Sequence, residues 1–297
     1  MATADPNTAT AGKYYIPHES IWPVYGSFTL FTMMLGLCGW LNEWFGPWLF
    51  ALGFVMLLGL FMGWFLVVIG ESQRGLYNMQ VDRSFRMGMM WFIFSEVMFF
   101  AAFFGALFYA RQLSVPWLGG EGVKIFNPLL IWQGFESAWP TNGPAKIGPR
   151  EDGSFELIPA FGLPAINTLI LLTSGVTLTI AHHALRAGHR ASLNLWLGAT
   201  FLLGFIFVGL QSYEYYYAYT ELGLKLSTGI YGSTFFMLTG FHGFHVTLGA
   251  IMLLCIWLRT MKGHFTTERH FAFEAVAWYW HFVDVVWLGL FVFVYWL

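Results

Sequence analysis

Seven apolar runs alternate with polar connections along the chain. They lie near residues 21–41, 48–70, 86–110, 161–185, 193–212, 230–258 and 273–296. A helix that crosses a bilayer needs about 20 mostly apolar residues, and every run is near or above that length. Asn42 and Glu43 stop the first run, and "GESQRG" (70–75) ends the second. Glu96 interrupts the third, and His182 and His183 stand near the end of the fourth. Glu214 follows the fifth, and Arg259 closes the sixth. This pattern predicts an all-α membrane protein with seven transmembrane helices. Gly59 and Gly63 form a G-x-x-x-G in the second run, which suits close helix packing.

Two segments fall outside the pattern. Residues 1–19 are small and polar, with neither an apolar signal core nor an Arg-rich transit character. They read as a retained tail. Residues 111–160 are rich in Pro and Gly and carry charge of both signs. They are too polar to span, so they read as a long extramembrane loop, and loops of this length are usually functional or docking elements. The organisation is therefore a tail (1–19), three helices (20–110), the loop (111–160) and four helices (161–297).

Composition agrees with the pattern. The chain has 297 residues, is 57% hydrophobic and only 10% charged, and has a mean hydropathy of +0.61. A soluble domain is about a quarter charged. The formal net charge of −2 gives no sign of a nucleic-acid partner. Cys38 and Cys255 each lie inside an apolar run and read as buried small hydrophobes. Lys and Arg favour the cytoplasmic side of short loops. Nine of them fall on the side of the N-terminus and five on the other, four of those in the long loop. The N-terminus is thus expected to face the cytoplasm and the C-terminus the periplasm or its equivalent.

A few polar residues inside the runs are candidates for chemistry. Glu96 lies deep in the third helix, where desolvation favours the protonated acid. It is a proton-linked candidate or a neutral contact between helices. His242 and His245 are three apart in "TGFHGFHVTLG" and share a face. Glu274, His281 and Asp284 fall within about 80° on one stripe of the last helix. Such a stripe faces protein rather than lipid. It is either an interhelical fastening with His242 and His245, with Asp284 bound to one of them, or a haem, metal or proton-relay site. Adjacent His182 and His183 point about 100° apart, so they cannot share one metal from a regular helix. They read as interfacial cations at a helix C-terminus. There is no Cys/His/Met cluster for copper, no C-x-x-C-H for haem, and no phosphate-binding glycine loop.

These blocks, in order, resemble one family. "FHGFHVTLGAIML" (241–253) and "HFAFEAVAWYWHFVDVVWLGLFVFVYW" (270–296) are similar to the closing signature of cytochrome c oxidase subunit III. "SIWPVYGSF" (20–28), "FIFSEVMFFAAFF" (92–104), "LPAINTLILLTSGVTLTIAHHAL" (163–185), "GLQSYEYY" (209–216) and "GIYGSTFFMLTGFHG" (229–243) resemble its earlier helices. The likeness covers about residues 15–297. Two departures stand out. "GLYNMQ" (75–80) replaces a "GHHT"-like stretch, and "FFGALF" (103–108) replaces "FFWAF".

The resemblance implies a non-redox core subunit of an aa3-type oxidase, with no catalytic or metal site of its own. Haem a, haem a3, CuA and CuB would belong to partner subunits I and II, and cytochrome c would deliver electrons through the complex. Small accessory subunits are further expected partners. Helices one and two would stand apart from helices three to seven across a cleft that holds phospholipid. The subunit would stabilise subunit I and support its proton uptake during O2 reduction. Glu96 matches a carbodiimide-reactive carboxylate. Glu71, Arg259, Lys262 and His264 match positions near lipid headgroups. His242, His245, Glu274, His281 and Asp284 match the polar network of the closing helices. The long loop and tail favour a bacterial plasma membrane over a mitochondrial inner one. Two alternatives remain: subunit III of a quinol oxidase, whose usual lack of the first two helices argues against it, and an ion transporter using Glu96 and Asp284.

Overall fold

The computed structural model of the protein describes residues 15, 19–122 and 127–297. Most of the expected N-terminal tail lies outside the described residues. Eight α-helices follow one another: α1 (Trp22–Leu41), α2 (Trp48–Gln73), α3 (Met79–Tyr109), α4 (Val115–Leu118), α5 (Leu163–Arg186), α6 (Arg190–Thr220), α7 (Gly229–Met261) and α8 (Phe271–Leu290). A π-helical turn, Ala110–Ser114, joins α3 to α4, and another, Phe291–Trp296, prolongs α8. Seven of these stretches are long and apolar enough to cross a membrane, α3 and α4 counting as one. No β-strand occurs among the described residues. The all-α, seven-span prediction holds.

Several helices, α2, α3, α6 and α7 among them, outrun their apolar sequences. α6 extends from Arg190 to Thr220, 31 residues rather than the expected 193–212. At 1.5 Å per residue it is about 46 Å long, well beyond a hydrocarbon core of about 30 Å. The backbone stays helical past the apolar run because intrahelical bonds satisfy it in headgroups and water as well.

The chain forms two compact units, Met1–Met87 and Gly88–Leu297, so the division falls within α3 rather than before it. The first is built on an antiparallel hairpin of α1 and α2. Pro23 opens α1, where its missing N–H is one the first turn leaves unbonded anyway. The hairpin is tight because glycines let the backbones touch. A Cβ on Gly53 would stand 2.6 Å from the Met33 backbone, and one on Gly36 would collide with Phe50. The Trp22 ring occupies the space beside Gly63, whereas Gly59 has ordinary clearance from Tyr25. The expected G-x-x-x-G is thus half used, and the closest crossing lies at Gly36 and Gly53.

The second unit holds the main core, drawn mostly from α5 to α8. Half of the best spanning window of α8 is buried, against 11% for α2. Trp280 is fully buried, and its indole N–H donates to Ser174 Oγ on α5 at 2.9 Å. Its ring lies against Gly204 of α6 and Gly249 of α7, where a Cβ would come within 2.6 and 2.8 Å. Trp287 is also fully buried and donates to Thr168 Oγ1 of α5 at 2.9 Å. Hydroxyl pairs tie Thr177 to Thr200 (2.8 Å) and Tyr215 to Thr239 (2.6 Å).

The long loop folds back on its own unit. Glu156 N–H donates to Leu222 O at 2.9 Å, and Tyr231 N–H to Thr141 O at 3.2 Å. Arg150 donates to the Glu221 carbonyl at 2.8 Å and pairs with Glu156 at 3.1 Å. The Tyr231 ring meets both Trp139 and Phe155. The loop therefore caps the α6–α7 connection. Cys38 and Cys255, expected to be buried, are free and exposed on helix surfaces. Lipid is as apolar as a protein core, so a small apolar side chain in a span need not turn inward.

Gly53→Ala is expected to destabilise the hairpin by about 1–3 kcal/mol, the usual range for overpacking. Gly209→Ala has nothing within 4 Å of the new Cβ and is expected to be neutral. Thermal unfolding of the chain in detergent, followed by circular dichroism, compares the two. Equal effects would refute the tight crossing.

Candidate functional site

Glu96 on α3 meets His245 on α7, with Oε2 3.0 Å from Nε2. The other ring nitrogen, Nδ1, lies 2.6 Å from the Phe241 carbonyl. A carbonyl only accepts, so Nδ1 carries a hydrogen. A neutral ring then offers Nε2 as an acceptor, and a carboxylate offers only acceptors too. The 3.0 Å contact therefore holds one proton, either as Glu–OH···N or as carboxylate and imidazolium. Both forms are neutral as a pair. That answers the cost of a lone carboxylate inside a span. Phe99 and Phe100 pack against the imidazole.

The polar stripe of α8 exists, but it faces a different neighbour from the one expected. Asp284 is 6% exposed and lies beside Gly175 of α5, where a Cβ would come within 2.5 Å of its Oδ2. Its near partner is His281, with Nδ1 3.5 Å from Oδ2. Glu274 Oε1 stands 3.2 Å from His270 Nε2 and 3.7 Å from His182 Nε2 of α5. The expected bonding of Asp284 to His242 or His245 is therefore corrected. His242 Nε2 donates to the Val283 carbonyl at 3.2 Å, and its ring packs edge-on to Phe207 and tilted against Trp287. The stripe was legible from the 100° step. Its neighbour was not, because α8 packs against both α5 and α7 and only tertiary packing decides which face meets which.

One buried carboxylate lay beyond the expected span. Glu214 is 1% exposed, and its Oε1 accepts from Tyr295 Oη at 2.7 Å and Gln211 Nε2 at 3.0 Å. Its signal was the three-residue spacing in "QSYE", had the helix been carried past residue 212.

The four headgroup candidates divide between the units. In the first, both oxygens of Glu71 are taken by phenols, Tyr15 at 3.2 Å and Tyr77 at 2.7 Å. Burial, and then the bond to Glu71, raises the Tyr77 phenol well above its usual range. Tyr77 stands in "GLYNMQ" (75–80), so a phenol binds Glu71 from that segment. In the second unit, Arg259 lies over the Phe265 ring at 4.5 Å, and His264 N–H donates to the Arg259 carbonyl at 3.1 Å. Lys262 is exposed. The His264 imidazole is held below its usual 6.5 by burial first, then by the charges of Arg259 and Lys262.

These features define an integral membrane protein of seven helices whose internal polar groups are paired mainly between and along helices. A family model for cytochrome c oxidase subunit III matches residues 12–133 and 125–297. Cytochrome c oxidase subunit 3 of Gadus morhua is 40% identical over 290 residues, covering 97% of this chain and 98% of the relative. Those of Carassius auratus and Mus musculus are each 39% identical, over 96% and 95% of this chain and 97% and 96% of their own lengths. The chain belongs to the cytochrome c oxidase subunit III family.

A double-mutant cycle of Glu96→Gln with His245→Ala is expected to show coupling of about 0.6–1.7 kcal/mol, the range for interhelical bonds in membranes. The cycle of Asp284→Asn with His242→Ala is expected to show none. Coupling confined to the second pair would overturn the geometry. For His264, the folded ring favours the neutral form. The unfolded chain therefore binds the proton first, and stability falls as pH drops below about 6.5 toward the depressed value. Lys262→Met is expected to raise the His264 value, read by nuclear magnetic resonance of labelled histidine. An unmoved titration would contradict the charge effect.

Proposed function

We propose that the chain is a supporting, non-redox subunit of a proton-translocating haem–copper cytochrome c oxidase. It binds phospholipid, braces subunit I, and supports proton uptake there while O2 is reduced. The observation that carries this reading is the likeness to cytochrome c oxidase subunit 3 over nearly the whole length of both chains. Haem a, haem a3, CuA and CuB belong to subunits I and II in this reading, and cytochrome c supplies electrons through the complex. Accessory subunits complete the assembly.

The structure lends the reading physical support. His242 and His245 spend ring nitrogens on Val283, Phe241 and Glu96, which suits fastening. His281, paired with Asp284, has a side chain 45% exposed within a span. A polar group at such a place calls for a protein partner rather than lipid. The transporter alternative gains nothing, since Glu96 turns to α7 and Asp284 to α5. Glu71, Arg259, Lys262 and His264 remain the candidates for headgroup contact. In this reading the membrane is a bacterial plasma membrane, and the excess of Lys and Arg on one side supports a cytoplasmic N-terminus and a C-terminus on the opposite side.

Removing this chain from the purified complex is expected to leave the initial rate of O2 reduction largely intact and to shorten activity during sustained turnover. An unchanged activity lifetime would sink the supporting role. Glu96 is expected to react with a hydrophobic carbodiimide, and Glu96→Gln to keep assembly and most electron transfer. Loss of O2 reduction in an assembled Glu96→Gln complex would make Glu96 catalytic.

A further inference from the structure

Asn167 of α5, and Gln211 and Glu214 of α6, are 0%, 4% and 1% exposed. Four of their polar atoms, Asn167 Nδ2 and Oδ1, Gln211 Oε1 and Glu214 Oε2, are buried with no hydrogen-bond partner among the described residues. We propose that these three side chains enclose a binding site for water, in which at least one internal molecule bridges α5 to α6.

The helical register brings the three together. Thr177 of α5 meets Thr200 of α6 at 2.8 Å, and the two helices are consecutive antiparallel spans. Asn167 precedes Thr177 by ten residues and Gln211 follows Thr200 by eleven. Both are thus displaced in the same direction along the bundle, by about 15 Å and about 16.5 Å. Gln211 is turned only about 20° from Thr200, so it keeps the face that meets α5. Asn167 stands between two known directions. Thr177, about 80° to one side, points to α6, and Thr168, about 100° to the other, receives the Trp287 indole of α8. The Trp287 ring lies 5.8 Å from that of Tyr295, whose hydroxyl donates to Glu214. Asn167 therefore points inward between α6 and α8, level with Gln211 and Tyr295.

The donors and acceptors left over suit water. Tyr295 Oη and Gln211 Nε2 both give hydrogens to Glu214 Oε1, at 2.7 and 3.0 Å, and Oε2 is left unbonded. Leaving such groups unmatched is costly, because burial has stripped them of their bonds to solvent. An internal water typically makes about three hydrogen bonds to groups of this kind. A molecule between the helices accepts from Asn167 Nδ2 and donates to Gln211 Oε1 and Glu214 Oε2. All three bonds are then matched in kind.

A bare cation fits less well. Calcium takes about six to eight oxygens, and an amide N–H aimed at it would be repelled. Three side-chain oxygens and one N–H donor group match water instead. The surroundings are apolar and closed. Phe207 and Trp287 are fully buried with rings 4.8 Å apart, and the Phe235 ring lies 5.3 Å from that of Tyr295. Water in such a place is part of the fold rather than a passing solvent molecule. It ties α5 to α6 through Asn167 and, by way of Glu214 and Tyr295, to the C-terminal turn.

The test is electron cryo-microscopy of the chain in its membrane complex, at a resolution that shows internal water elsewhere in the map. A peak is expected within hydrogen-bond distance of Asn167, Gln211 Oε1 and Glu214 Oε2. Direct bonding of Asn167 to Gln211 or Glu214 with no peak between them would overturn the proposal. So would a peak ringed by five or more oxygens at the distances of a bound cation. Asn167→Leu removes one partner at similar volume, and is expected to empty the site and lower the melting temperature by a few degrees. A peak that persists unchanged in the assembled Asn167→Leu complex would also overturn the site as drawn. If that variant does not assemble, the wild-type map alone decides.

Discussion

Trp280 is the joint on which the second unit depends. Its indole is wholly buried on α8, donates to Ser174 of α5, and lies against Gly204 of α6 and Gly249 of α7. One side chain thus touches α5, α6 and α7 at once. Lipid solvates apolar helix faces as well as a neighbouring helix does, so hydrophobicity alone does not draw these helices together. What does so is close packing of a large ring into glycine-lined space, with its one polar atom satisfied. The small residues around Trp280 are therefore as much part of the contact as the ring.

A second constraint follows from the same solvent. Polar groups inside the spans must be matched within the protein. Glu96 and His245 meet this as a pair that shares a proton, His242 by donating to a backbone carbonyl, and Glu214 by accepting from Tyr295 and Gln211. Few of these bonds are individually strong in a membrane. Their effect is to fix which helix faces which, and at what rotation.

The exceptions are informative for the same reason. Asp284 Oδ1, Glu214 Oε2, the second ring nitrogen of His242 and both side-chain polar atoms of Asn167 are buried without hydrogen-bond partners. Together with the half-exposed His281, Asp284 marks an edge of the fold that ends unmatched within this chain.

The amino-acid sequence determined the seven spans, because their length and apolarity depend only on local composition and on the need of the backbone to bond itself in lipid. It also determined that Glu274, His281 and Asp284 share a face, since the helical step is fixed. A charge does not by itself end a helix, and α6 runs on through Glu214 to Thr220. The partners of the polar residues were decided by tertiary structure alone. Glu96 finds a histidine 149 positions away, and Asp284 turns to Gly175 rather than to the histidines of the preceding helix. A helix offers several neighbours the same residues. Which one receives them depends on rotation and close packing among all the helices at once, and that information is not local to any stretch of sequence.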